Sequence, residues 1–69
     1  MDICTAQDFG FIIYLMAMGD LSKGGYDAIE LIQGFKEDRL YVERDPEMPT
    51  KLLSFKLLDK NGMEVCKWK

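Results

Sequence analysis

From Phe9 to Met18 the chain reads Phe9-Gly10-Phe11-Ile12-Ile13-Tyr14-Leu15-Met16-Ala17-Met18, with no charge and no strongly polar side chain except the phenol of Tyr14. A surface helix needs only one apolar stripe, so a segment apolar all round must find cover on more than one side. In a chain of 69 residues that cover is scarce. Domains of this size bury only about 60% of the surface that their unfolded chains expose. A second subunit or another protein is the natural source of the missing contact. The run therefore predicts association, as a homodimer or a stable complex in which Phe9, Ile13, Tyr14 and Met16 contribute contact.

The same run is too short to cross a bilayer, which takes about 20 apolar residues. Asp2 and Asp8 precede it, where a signal peptide would carry basic residues. A cytoplasmic protein with no membrane contact is expected. Cys4 and Cys66 lie far apart with no C-x-x-C spacing, and the sequence contains no histidine. Metal binding is not expected, since these are the residues from which most zinc geometries are built. Two reduced thiols are expected, with a disulfide joining the terminal regions left open for an oxidising compartment.

The length allows one domain, residues 1–69, and 48% hydrophobic with 30% charged residues is globular composition. The net charge of −3 disfavours unaided binding to a nucleic-acid backbone. Its distribution is uneven. Up to Asp38 the chain has seven acids against Lys23 and Lys36, whereas from Arg39 onward seven basic residues face five acidic ones.

Thr5-Ala6-Gln7-Asp8 has the pattern of a capped helix start, and predicts a first helix from Ala6 to Met18. Phe9, Ile12, Ile13 and Met16 form one stripe at helical spacing, and Phe11, Tyr14, Leu15 and Met18 form a second. The alternative is a buried strand over Phe11–Met18, which would give a βαβββ order. Gly19-Asp20-Leu21-Ser22-Lys23-Gly24-Gly25 reads as a turn. Lys23 precedes the paired glycines and Asp20 would repel an anion, so a nucleotide-binding loop is not expected. A second, amphipathic helix follows from Tyr26 to Asp38, with Ala28, Leu31, Ile32 and Phe35 on its apolar face. Asp27, Glu30, Gly34 and Glu37 occupy the opposite, acidic face. Arg39–Arg44 alternates as a strand with Leu40 and Val42 inward, and Asp45-Pro46-Glu47-Met48-Pro49 breaks it. Leu52–Leu58 makes the next strand, with Leu53, Phe55 and Leu57 on one face. Asn61-Gly62 suits the two positive φ values of a type I′ turn, so Met63–Trp68 returns as a hairpin partner. The expected fold is α+β, two helices followed by a three-stranded antiparallel sheet (ααβββ). Asp59 and Asn61 before Gly62 faintly resemble a calcium loop, but the Asn-Gly turn is the expected reading.

The order helix, strand, proline-bearing loop, strand, Asn-Gly turn and strand over Ala28–Val65 resembles the second half of a winged-helix module of the MarR regulator type. The residues concerned are Ile32-Gln33-Gly34-Phe35-Lys36-Glu37-Asp38-Arg39-Leu40-Tyr41-Val42-Glu43-Arg44-Asp45 and Phe55-Lys56-Leu57-Leu58-Asp59-Lys60-Asn61-Gly62. The resemblance implies a helix entering the DNA major groove, with Gln33 and Lys36 on its groove side and Arg44 and Lys51 near the wing. One helix precedes it here, where the family has at least two, and the exposed helix face carries Asp27, Glu30 and Glu37.

General acid–base or nucleophilic catalysis needs a base beside a nucleophile, and no G-x-S-x-G, H-E-x-x-H or similar pairing occurs. No catalytic residue, cofactor site or metal site is expected. The function that remains is that of a small acidic protein-binding module. Asp27, Glu30, Glu37 and Asp38 would engage a basic surface on another protein. Compact acidic proteins of this kind include inhibitors that occupy nucleic-acid-binding sites, phage-encoded anti-defence proteins among them. The alternative is a dimeric winged-helix-like DNA-binding regulator that uses the basic hairpin.

Overall fold

Thr5 sits in extended backbone ahead of the first helix and closes a reciprocal cap. Its hydroxyl accepts the Asp8 backbone N–H at 3.2 Å, while Asp8 Oδ2 accepts the Thr5 N–H at 2.9 Å. Two of the helix's unsatisfied donors are thereby paired, and the run after Thr5 is helix, not strand. The computed structural model describes residues 1–19 and 27–68. Within these, β1 is Asp2–Ile3, α1 is Ala6–Ala17, α2 is Ala28–Lys36, β2 is Leu40–Arg44, β3 is Leu52–Leu58 and β4 is Glu64–Trp68. The turn expected over Gly19–Gly25 falls mostly, and the helix start at Tyr26 wholly, outside the described residues. Asp27 is the N-cap of α2 and accepts the Ile29 N–H at 2.9 Å.

The fold is α+β, with two helices against an antiparallel sheet in the order β1-β2-β3-β4. The sheet has one strand more than the expected three, because Asp2 and Ile3 pair with Val42 and Tyr41. Two residues are too few for alternation to reveal a strand. The inward rows run Leu40, Leu57, Cys66 and Val42, Phe55, Trp68 across the sheet. They meet Phe9, Ile12 and Leu15 of α1 and Leu31 of α2 in one core. Each fully buried aliphatic side chain in such a core contributes roughly 1.5–3 kcal/mol.

Three local expectations change. In β3 the register slips between Glu43 and Arg44, so Leu53 has no partner on β2 and is exposed, and Leu52 takes the buried place. In α2, Gly34 is buried, not on the polar side, and Ile32 is exposed. A Cβ at Gly34 would collide with Leu57 Cδ1, so a side chain here would require the buried Leu57 side chain to shift. In the hairpin, Gly62 has φ 84° and Asn61 is not at positive φ, which excludes type I′. Asp59 Oδ1 accepts the N–H groups of both Asn61 and Met63, and Gly62 alone takes the left-handed position. This is a three-residue loop of the type that ends in a glycine.

The terminal thiols are free. The Cys4 N–H donates to Leu40 O, and Leu40 pairs with Leu57, which pairs with Cys66. Three strand spacings of about 4.8 Å then separate the two cysteines. A disulfide requires Cα atoms within about 7 Å, so this fold does not join them.

Candidate docking surface

The four residues of the expected acidic face are all exposed and are spread from the start of α2 to just beyond its end. Asp27 caps the start of α2, and Glu30 stands exposed one turn later. Glu37 and Asp38 lie at the far end, where Arg39 Nη2 donates to Glu37 Oε1 at 2.7 Å. That hydrogen bond, with the charges of Arg39 and Lys60 helping, holds the Glu37 carboxyl below its usual range. Asp38 has φ 57°, with its N–H on Phe35 O and the Arg39 N–H on Gly34 O at 2.7 Å. These two bonds terminate the helix in a Schellman motif, with Asp38 in the position that glycine usually fills. Three of the four acidic residues thus have local structural work.

The expected apolar contact residues divide in the same way. Phe9 is buried and its ring stacks on Phe35, with centroids 4.6 Å apart and planes 2° from parallel. Met16 is half-buried against the core. Both are therefore spent inside the molecule, whereas Ile13 and Tyr14 are 51% and 56% exposed. Met18, expected in the second stripe, Ile32, expected on the apolar face of the second helix, and Ile29, assigned to neither, are 62%, 41% and 66% exposed. A step of roughly 100° per residue places Ala6, Gln7, Gly10, Ile13, Tyr14 and Ala17 on one arc of α1, opposite Ile12. All six are exposed. The Phe9–Phe35 stack brings the end of α2 against the first turn of α1, and Ile29 and Ile32 are exposed on α2. The signal that sorts these residues is the buried Asp8, which fixes the inward side of α1.

Asp8 is the only charged residue of α1, and it is 4% exposed. Arg44 Nε and Nη2 donate to its two oxygens, and Nη1 donates to Asp2 Oδ2 at 2.8 Å. Burial alone would raise the Asp8 pKa, but the hydrogen bonds from Arg44 and Thr5 outweigh it and hold the carboxyl below its ordinary value. The outward arc of α1 consequently carries no charge at all. Beside this clasp, burial pushes the Cys4 thiol up to about 12, with the Asp8 charge adding to the effect and Arg44 opposing it. Cys66 is also shifted upward, by burial and by the charges of Glu30 and Glu64.

Of the residues that the winged-helix resemblance singles out, Gln33 and Lys36 line a shallow depression of about 330 Å³ with Glu37, Arg39 and Lys60. It contains amines, a guanidinium, an amide and a carboxylate, with neither a thiol nor a hydroxyl. Arg39 is held there by Leu58 O and Glu37. Arg44 is committed to the clasp with Asp8 and Asp2, and Lys51 is exposed just before β3. On the outer sheet face, Tyr41, Lys56 and Lys67 form a row across β2, β3 and β4. No helix among the described residues is long and apolar enough to cross a membrane. Comparison with protein-family models, curated proteins and solved structures finds no match.

Proposed function

We propose that this chain is a non-catalytic protein-binding module that docks through its helical layer. The observation that carries this reading is the set of five large apolar side chains, Ile13, Tyr14, Met18, Ile29 and Ile32, exposed on α1, its C-cap and α2. Large apolar side chains left exposed together with polar groups are a mark of contact sites. Asp27 and Glu30 supply an acidic edge at the start of α2. That edge suits a partner with a basic surface, as an inhibitor of a nucleic-acid-binding protein would require. Such charges steer encounter more than they add affinity.

Affinity capture from the native host tests this reading with the full chain and an Ile13→Glu/Ile32→Glu variant whose circular dichroism matches it. The double variant is expected to lose the captured protein, and Glu30→Lys to slow its association. Capture that is unchanged by the double substitution overturns the reading.

A further inference from the structure

We infer that the groove between the end of α2 and the turn after β3 is a binding site for one phosphate group, free or carried as a monoester on a small molecule. Two adjoining depressions, of about 330 Å³ and 200 Å³, share Gln33, Arg39 and Lys60 and together form this groove. None of the five apolar side chains of the docking surface lines either depression, so the site is independent of that surface.

The chain carries a net charge of −3, yet the larger depression sets Lys36, Arg39 and Lys60 against the single carboxylate of Glu37. That carboxylate is engaged by Arg39 Nη2 at 2.7 Å, and the ammonium groups of Lys36 and Lys60 have no ion pair among the described residues. The excess positive charge of these two lysines matches a phosphate, which bears close to two negative charges at neutral pH and offers at least three acceptor oxygens. A carboxylate ligand would balance only one of them. The carbonyls in the last turn of α2, which would repel an anion, are covered. Gln33 O, Phe35 O and Gly34 O accept the N–H groups of Glu37, Asp38 and Arg39.

The guanidinium at the centre of the groove is already fixed. Arg39 Nη1 donates to Leu58 O at 2.6 Å and Nη2 donates to Glu37, so the group is held between the end of β3 and the end of α2 with only 20% of the side chain exposed. Its Nε is buried with no hydrogen-bond partner among the described residues. An unmet buried donor on a charged group raises the free energy of the site as it stands. An anion against the same guanidinium offsets that cost through its charge and leaves both protein partners in place. The far end of the groove limits what the phosphate belongs to. Glu30 and Asp59 stand there beside Leu57 and Val65. Their carboxylates would repel a second phosphate and accept hydrogen bonds from hydroxyl or amino groups, so the groove suits a monophosphate and not a polyphosphate or a nucleic-acid strand.

An amide NMR titration of the isotopically labelled full chain, at constant ionic strength and about pH 7.5, tests the inference. The probes are inorganic phosphate, glycerol monophosphate, glycerol and a short DNA duplex. Both phosphate probes are expected to give saturable shifts centred on Gln33, Lys36, Arg39 and Lys60, with a dissociation constant below about 1 mM, and glycerol none. Tighter binding of glycerol monophosphate assigns the phosphate to an ester, and equal binding assigns it to the free ion. Lys36→Gln/Lys60→Gln should keep the circular dichroism of the parent and weaken binding about tenfold or more. Lys51→Gln/Lys56→Gln removes the same charge outside the groove and should leave binding unchanged. Shifts that fail to saturate by about 10 mM, an equal loss in both double variants, or a duplex that binds these residues more tightly than glycerol monophosphate overturns the inference.

Discussion

Arg44 illustrates how far one side chain can reach in a small molecule: it joins the end of β2 to the first turn of α1 and to β1. The folded pKa of Asp8 lies below its unfolded value, which is about 3.9 for an ordinary aspartate. The clasp's contribution to stability is therefore complete above that unfolded value and is lost as the pH falls through the folded one. Arg44→Met should lower the urea midpoint clearly at pH 7, where a buried carboxylate loses its partner. It should lower it much less near pH 2, where the carboxyl is protonated in both variants. A deficit that is equal at the two pH values would show that Arg44 acts by packing and not by charge. Sequence pattern identified the Thr5 and Asp8 cap, because both groups lie within one turn. It missed the clasp, because Arg44 is separated from Asp8 by 36 positions and nothing local relates them.

Each element was legible to the extent that its cause was local. A cap located the start of α1, alternation located β2, and the boundaries of β3 were met residue for residue, whereas Asp27, read as part of an acidic face, is the N-cap of α2. What sequence did not reveal was rotation and register. Gly34 looks like a tolerated glycine on a polar face until Leu57 is placed against it, and Leu53 looks inward until the slip at Glu43 and Arg44. The same cause separated the contact residues, since Phe9 and Ile13 share a stripe while only Phe9 meets Phe35. Two identical substitutions expose this difference. Gly10→Ala should stabilise the fold by about 0.5–1 kcal/mol, because it adds helix propensity and meets open space. Gly34→Ala should destabilise it by about 1–3 kcal/mol, because the new methyl overpacks against Leu57. Thermal denaturation of both variants at micromolar concentration checks the signs, and a stabilising Gly34→Ala would refute the close approach of α2 to β3.

At the scale of the whole molecule, the two sheet faces have divided roles. The inner face is closed by two helices, and the outer face carries Tyr41, Lys56 and Lys67 in one row with the exposed Ile3. Chain order carries a different consequence, in the time domain. β2, β3 and β4 are joined by short connections and can zip from the Asp59 turn, whereas β1 finds Val42 and Tyr41 only after a circuit through both helices. Closing so large a loop is entropically costly, and contacts of that span tend to form late. The N-terminal clasp should therefore act as a latch on an already folded meander. In stopped-flow urea experiments, Arg44→Met is expected to speed unfolding while leaving the refolding rate nearly unchanged, a φ-value below about 0.3. Refolding slowed in proportion to the lost stability would place the clasp in the nucleus instead. With the latch as the last part made and the first undone, resistance to unfolding is set at the amino terminus, while the speed of folding belongs to the hairpins.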